Sequence, residues 1–433
     1  MWPSGLVFRR NGMKHSSVGL ICKSVFTVMG LLTTQSVMAA GFYISEVGTP
    51  LSLGTAGAAN PTNNISADSS WTNPAGMTGL DKSEMLAGFQ VVSPKIEFDS
   101  SSASTGNGGD GGNAGNTVAI PSFFYVGAVT DRLRLGISSA GLMGGGVDYG
   151  DGFTGRYATS LAELGAVGIS PAIGFKVNDR FSVGAGVSII YTRFDMDVAI
   201  NQSAVDAPDG KFKIVKADDW GYQPYLGLTW HVTDRAMLGL VYRAEMDVNL
   251  EGDAKIHDWN LPVPKPKANS IDVDWDNPQT AKLGLKYVLD DKNLLFLSAG
   301  WEDWSKFSSN TLALEGGALN PEIRLDRKFD DTWNAGIALA HHEGGHATSI
   351  GLSYESSPVS DSDRTLDLPF EELYKLSFAY AWQGHKDLDF SLGSTVYLVG
   401  DAKIDQTSQG VRTKGEYDTN YIVFFGGTVR YQF

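Results

Sequence analysis

Hydrophobic and polar residues alternate with period two along much of the chain. In the last segment Tyr421, Val423, Phe425, Gly427, Val429, Tyr431 and Phe433 share one face, and Thr428, Arg430 and Gln432 lie on the other. The same pattern places Phe181, Val183, Ala185, Val187, Ile189 and Tyr191 on one apolar face, Trp220, Tyr222, Leu226, Leu228 and Trp230 on another, and Tyr374, Leu376, Phe378, Tyr380 and Trp382 on a third. Leu238, Leu240, Tyr242, Ala244, Met246, Val248 and Leu250 read as one continuous apolar face, opposed by Gly239, Arg243, Glu245, Asp247 and Asn249. Each segment predicts a strand with one greasy and one wet face. Several exceed the usual soluble strand of about 5–6 residues.

The connections decide what such strands build. Val129-Thr130-Asp131-Arg132, Val177-Asn178-Asp179-Arg180 and Val232-Thr233-Asp234-Arg235 are near copies, each wedged between two strand patterns. Asp290-Asp291-Lys292-Asn293, His342-Glu343-Gly344-Gly345 and Gln383-Gly384-His385-Lys386 occupy equivalent places, so all six read as tight hairpin turns. Long polar linkers fall between them near 100–116, 147–165, 199–216, 252–276, 306–328, 356–369 and 401–417. Short and long connections therefore alternate around about fourteen strands, the pattern of an outer-membrane barrel with both ends on one side. A sheet in hydrocarbon must close, because lipid satisfies no open edge. The expected fold is all-β: a transmembrane antiparallel β-barrel of about 14 strands, with an N-terminal hatch, or plug, inside the lumen.

Composition supports that reading. The chain has 433 residues, with 51 Gly, 10 Trp, 16 Tyr and 21 Phe, yet no apolar run long enough for a membrane helix. In a barrel the aromatic residues belong to two interfacial girdles and glycine to crowded inward positions and bends. Residues 1–39 hold Arg9, Arg10, Lys14 and Lys23 and no acid, then an apolar run from Val25 to Leu32, then Val37-Met38-Ala39. That order predicts a signal peptide cleaved after Ala39. Without its four basic residues, the remainder has 30 basic against 49 acidic side chains, a net charge of −19. Such an acidic surface argues against a nucleic-acid partner. The single Cys22 lies in the leader, which excludes a disulfide framework or a cysteine metal site.

About forty residues precede the first strand, which is expected near Lys82. They run from Ala40-Gly41-Phe42-Tyr43-Ile44 to Asn73-Pro74-Ala75-Gly76-Met77 and are too apolar for a disordered tail. The expected divisions are a signal peptide at 1–39, a hatch at 40–81 and a barrel at 82–433. A barrel this wide exceeds the ~8-stranded size that side chains fill by themselves, so a selective lumen needs a plug.

Ala40-Gly41-Phe42, Asn73-Pro74-Ala75-Gly76-Met77, Gly155-Arg156-Tyr157, Pro171 to Asn178 with Phe181 to Gly186, and Trp301-Glu302-Asp303-Trp304-Ser305-Lys306-Phe307 occur in order over the mature chain. In these stretches the chain resembles the FadL/TodX family of outer-membrane transporters for hydrophobic compounds. The resemblance implies a 14-stranded barrel with an N-terminal hatch, a low-affinity groove between extracellular loops, an internal high-affinity pocket and a kinked third strand that opens a side exit. It also implies that Phe42, near the mature N-terminus, reaches the ligand pocket, and that Asn73, Pro74 and Ala75 belong to the hatch and its gating. The implied cargo is a long-chain fatty acid or another lipophile. Uptake of aromatic or alkane hydrocarbons and export of oxidised fatty acids are the alternatives.

The residues themselves bear on that mechanism. The third strand, Arg134 to Val147, contains Gly136, Gly141, Gly144, Gly145 and Gly146, which weaken pairing and permit a bulge, so a lateral opening is expected at Gly141 and Gly144 to Gly146. Along the fifth strand the apolar residues sit at odd positions through Tyr191, then at Phe194, Met196 and Val198, while Arg193, Asp195 and Asp197 are charged. Either a bulge intervenes there, or the strand leaves the bilayer and its inward face turns apolar. The second case favours a lipophilic ligand, since each buried CH₂ stabilises binding by about 0.8 kcal/mol. A carboxylate head also needs a cation or donors, and Arg156, between Phe153 and Tyr157, is the candidate. Its rival role is that of a loop residue paired with Asp148, Asp151 or Glu163.

Other patterns mimic chemistry. His342-Glu343-Gly344-Gly345-His346 fits a zinc-protease motif, but two glycines undermine the helix that motif needs, and strand alternation flanks it. Gly106, Gly108 and Gly111 satisfy a dinucleotide fingerprint in a Ser-rich loop, and Asp272, Asp274 and Asp276 alternate as a solvated acidic stretch. No catalytic residue, metal site or cofactor is expected, and no enzyme activity. Transport would be passive, since no P-loop occurs. A general porin, an adhesin and an outer-membrane hydrolase are the rival classes. The expected surroundings are outer-membrane lipid and lipopolysaccharide, and the barrel assembly machinery, which would read the C-terminal Phe433. The protein is expected to be a monomer.

Overall fold

The computed structural model describes residues 47–266, 270–315, 322–418 and 420–433. Fourteen strands run antiparallel: β1 (Glu84–Lys95), β2 (Val118–Ala128), β3 (Leu133–Asp148), β4 (Leu161–Lys176), β5 (Phe181–Ile200), β6 (Gly210–His231), β7 (Ala236–Arg243, then Met246–His257), β8 (Ser270–Asn277, then Thr280–Val288), β9 (Asn293–Glu302, then Ser309–Glu315), β10 (Glu322–Asp326, then Thr332–Glu343), β11 (His346–Glu355), β12 (Leu373–His385), β13 (Leu388–Val399) and β14 (Tyr421–Gln432). Each pairs with the next, and β1 pairs with β14 from Glu84 opposite Gln432 to Lys95 opposite Tyr421, which closes the barrel. The six tight turns lie where the alternation places them. Several strands run further into the long linkers than period two indicates. Residues Ser309–Glu315 and Glu322–Asp326 of the 306–328 linker form an extension of the β9–β10 hairpin. A smaller sheet of Asp99–Ser100, Ala402–Ser408 and Val411–Tyr417 is built within the outer loops.

The apolar faces point outward across the band that meets lipid. Trp333 and Tyr222 are 64% and 63% exposed, and Trp220, Tyr354, Tyr374 and Tyr421 complete an outer aromatic belt. At the opposite end Tyr380 stacks on His346 and Trp382, and Trp382 on Phe390, forming the second belt.

One face assignment is corrected. Leu238, Leu240 and Tyr242 point outward as expected, but Met246, Val248 and Leu250 are buried inside the barrel. The ladder of β7 breaks at Ala244-Glu245, where the Ala244 amide donates to the Pro224 carbonyl, and one skipped residue flips every side chain beyond it. The interruption of β8 at Pro278-Gln279 does the same, so Ile271, Val273 and Trp275 face inward above it, while Thr280, Gly284 and Lys286 do so below. In β5 the inward face stays on even positions from Ser182 to Met196, so Phe194 and Met196 line the lumen while Arg193, Asp195 and Asp197 leave the bilayer on the outside. The bulge lies in the neighbouring β6, where the register slips opposite Asp195 and Lys216 takes a φ of 56°. The outer half of the lumen is therefore apolar.

Residues 47–83 pack against inward-facing wall residues through short helical turns at Pro50–Leu53, Asn60–Thr62, Ser69–Thr72 and Pro74–Gly79. Glycine in the wall makes this possible. A Cβ at Gly227 would lie 2.1 Å from Asn73 Oδ1, one at Gly239 1.9 Å from the Pro61 carbonyl oxygen, and one at Gly351 2.4 Å from the Thr55 carbonyl carbon. Polar ties add direction: Tyr225 Oη donates to the Ser70 carbonyl at 2.7 Å and Thr395 Oγ1 to Leu53 at 2.8 Å. At the start of β1 the buried Glu84 carboxylate accepts the Ala67 amide at 2.7 Å, and it also meets Arg430 at 3.1 Å and Gln432 at 2.9 Å on β14.

Candidate functional site

The wall is incomplete on one side. Pairing between β2 and β3 runs from Ala128 opposite Arg134 to Phe123 opposite Ser139 and stops. Beyond it, Val118 to Ser122 remain paired to β1, and β3 from Ala140 to Asp148 is paired to β4. The β3–β4 register slips between Gly141 and Met143, so β3 carries one extra residue where it parts from β2. A Cβ at Gly141 would lie 2.6 Å from Ile120 Cγ2, and the Ile120 side chain is what abuts the strand at that level. Gly144 and Gly145 face Gly165 and Leu164 across the β4 ladder, and a Cβ at Gly146 would meet the Ala162 carbonyl at 2.7 Å.

Behind this stretch lies an apolar pocket. Gly145, Gly146, Leu164, Phe194, Trp275 and Phe370 line it together with the Arg327–Asp367 ion pair and the Glu163 side chain. Aromatic rings continue inward: Trp275 meets Phe307 edge-on at 4.5 Å, and Phe307 packs on Phe329 at 5.7 Å. The space left among these walls is only about 20 Å³, so a ligand enters by parting them. Arg327 Nη2 is 2.8 Å from Asp367 Oδ2, with side chains 6% and 11% exposed. Burial works to raise the Asp367 carboxyl, but the charge and hydrogen bond of Arg327 outweigh it and hold it below the usual carboxylate range. The pocket thus offers an apolar surface with a buried ion pair at its edge.

A second cavity of about 530 Å³ lies at the opposite end, between Leu51 and Ile65 of the N-terminal segment and the ends of β9 to β14, with Phe296, Ala379 and Arg430 among its walls. The His342-Glu343-Gly344-Gly345-His346 stretch borders it as a hairpin turn. Gly344 and Gly345 take φ of 58° and 81°, His341 Nδ1 pairs with Asn293 Oδ1 at 2.9 Å and His346 Nδ1 with Tyr380 Oη at 2.6 Å. Asp272, Asp274 and Asp276 alternate with inward residues along the outer part of β8.

The remaining expected site residues divide into three groups. Asn73, Pro74 and Ala75 are buried where the N-terminal segment meets β4, β5 and β6. Asn73 accepts from the Ala75 amide at 3.1 Å and donates to the Pro61 and Leu228 carbonyls at 2.6 and 3.1 Å. Phe153, Arg156 and Tyr157 are brought together, but in the packed outer loops and away from the walls of the apolar pocket. Phe153 stacks on Tyr149 at 4.1 Å. Arg156 bonds through Nε to Asp209 at 2.7 Å, through Nη1 to the Asn107 and Phe153 carbonyls, and through Nη2 to Asn107 Oδ1 and Tyr157 Oη. All its N–H donors are engaged, so in this arrangement none is left for a carboxylate head. Its acid is Asp209, not Asp148, Asp151 or Glu163. Phe42 and the signal peptide at 1–39 lie outside the described residues. Arg327 was missed because it sits in a polar linker that reads as solvent-exposed loop; its one signal is the aromatic and apolar residues on either side, Phe307 and Phe329.

The comparisons fit this geometry. Residues 30–433 match the family model described as outer membrane protein transport protein (OMPP1/FadL/TodX). The chain belongs to that family. It is an outer-membrane protein of a Gram-negative bacterium, and the family's members are transport channels for hydrophobic compounds. A long-chain fatty acid transport protein of Escherichia coli O6:H1 is 20% identical over 96% of this chain and 99% of its own. Outer membrane protein P1 of Haemophilus influenzae is 22% identical over 88% and 93%. Among solved structures, a Pseudomonas aeruginosa FadL homologue superposes with a TM-score of 0.82 at 22% identity, covering 91% of this chain and all of the other. The Ralstonia pickettii toluene transporter TbuX gives 0.67 at 18% identity, covering 90% and 99%. At these identities the solved structures speak for the fold.

Proposed function

We propose that this family member takes up long-chain fatty acids by passive diffusion and releases them sideways into the outer membrane. The observation that carries the reading is the apolar pocket that holds the buried Arg327–Asp367 pair and opens toward the stretch of β3 that has no ladder to β2. An acyl chain gains about 0.8 kcal/mol for each CH₂ it buries among Leu164, Phe194, Trp275 and Phe370. Its carboxylate reaches Arg327, where a charge-assisted hydrogen bond fixes its orientation. The N-terminal segment is the hatch, anchored at Asn73, Pro74 and Ala75, and a shift there clears the route. The way out runs past Gly141 and Gly144 to Gly146. Sideways release suits the cargo, because a lipophile gains nothing by entering the aqueous periplasm. The similarity to long-chain fatty acid transport proteins supports this cargo.

A second reading, uptake of monoaromatic hydrocarbons, is favoured by the Trp275, Trp304, Phe307 and Phe329 ring cluster and by the toluene transporters of like fold. Equilibrium binding separates the two. Oleate and toluene are titrated against the purified protein and against an Arg327→Met, Asp367→Asn double variant, which removes both charges together. Loss of oleate affinity with toluene binding unchanged supports the fatty-acid reading. Tight toluene binding with no measurable oleate binding to the parent protein overturns it.

A further inference from the structure

Arg243, at the end of the membrane-crossing part of β7, is a buried cation with an unusual shortage of partners. It is 4% exposed, and its guanidinium lies 4.1 Å over the Trp71 ring and 4.6 Å over the Tyr225 ring. Nη2 donates to the Trp71 carbonyl, which ties the N-terminal segment to the wall. Among the described residues Nη1 has no hydrogen-bond partner and no carboxylate forms an ion pair with this arginine. Leaving a buried charge uncompensated is costly. The guanidinium borders a cleft of about 30 Å³ between the segment and the wall, together with Lys282, Thr72 and Thr280. Lys282 is 3.1 Å from Glu302, whose carboxylate also accepts from Trp304 Nε1 at 3.1 Å, so that pair balances itself and the excess positive charge of the cleft is Arg243's.

We propose that this cleft binds one monatomic anion, a chloride ion in the natural setting, with Arg243 Nη1 as its principal donor. The cleft, at about 30 Å³, exceeds the roughly 10–15 Å³ that one water-sized particle needs, so as it stands it has room for a single halide. The hydroxyl of Thr280 is a further donor at its edge, whereas that of Thr72 is given to the Asp68 carbonyl at 3.1 Å. The ion offsets the charge of the same guanidinium whose other arm holds Trp71, and so it strengthens the tie between segment and wall. The inference is independent of the cargo.

The test uses crystals of the full mature chain grown in chloride and soaked in bromide, with data collected at the bromine absorption edge. The expected result is an anomalous peak within hydrogen-bond distance of Arg243 Nη1 that rises with bromide concentration in the low millimolar range. It is absent from Arg243→Met, whose unbranched side chain still packs between Trp71 and Tyr225. A peak with no anomalous signal is a water and overturns the proposal, as does a bromide peak that persists in Arg243→Met or one seen only at molar bromide. If the variant does not fold, the concentration series on the unmodified protein decides by itself.

Discussion

The gap between β2 and β3 can be locked by a covalent bond, and that perturbation tests the side exit most directly. A Cβ built on Gly141 lies 3.8 Å from Ile120 Cβ, at the mean Cβ separation of a disulfide, roughly 3.8 Å. Ile120→Cys with Gly141→Cys should therefore cross-link. Passing a methylene group between two facing carbons needs about 4 Å of contact distance on each side, so the pair must move about 8 Å apart. The disulfide caps their separation at about 4.5 Å. Uptake of radiolabelled oleate by cells carrying the oxidised double variant should fall to that of cells lacking the protein, and return on adding a membrane-permeant reductant. The Ile120→Cys single variant, which adds no atom at Gly141, should transport like the parent under both conditions. Cross-linking shown complete by a gel shift, with oleate uptake undiminished, would refute lateral release at this point.

Other expectations follow from the same geometry. In the Arg327→Met, Asp367→Asn variant, loss of a charge-assisted hydrogen bond worth about 1.5–3 kcal/mol should weaken oleate binding by about 10- to 100-fold and leave toluene unaffected, as read by equilibrium titration. Gly227→Val places a branched side chain where a bare Cβ would already be 2.1 Å from Asn73 Oδ1, so the N-terminal segment should be displaced; planar-bilayer conductance should rise while the barrel's melting temperature changes little. Asp367 has a folded-state pKa below its ordinary value because of Arg327; the stability this contributes is complete above the ordinary range near pH 4 and is lost as pH falls through the lower folded value. Hydrogen exchange in residues 361–372 should accelerate on acidification across that window, and the Asp367→Asn variant should show no such acceleration.

The barrel was legible because lipid imposes a strict rule. Tyr374, Leu376, Phe378, Tyr380 and Trp382 could all lie on one face only if that face met hydrocarbon, and the near-identical turns at 130–132, 178–180 and 233–235 marked the short ends. The face of β7 was misread because Leu238 to Leu250 keeps period two without interruption, whereas the ladder skips at Ala244-Glu245. Spacing cannot reveal a skip that a neighbouring strand imposes, here through the Pro224 carbonyl that takes the Ala244 amide. The switch in β5 was legible in part: both a bulge and an apolar inner wall occur, the bulge on β6. The partner of Arg156 was not legible, since Asp209 lies across another loop. Nor was Arg327, whose burial depends on a hairpin folding over the lumen. Glycine was read correctly as crowding, but its partner in the crowding, the N-terminal segment, shows only in three dimensions.

Glu84 joins two events in the making of the protein. Its carboxylate receives the Ala67 amide from the N-terminal segment and Arg430 and Gln432 from β14, the strand that closes the ring. A ring that shuts without the segment leaves this buried acid with one donor fewer, and a segment that docks before β14 arrives leaves it without its arginine. The seam and the segment are thus completed by the same carboxylate, so assembly favours a single last step in which the cylinder closes around contents already in place.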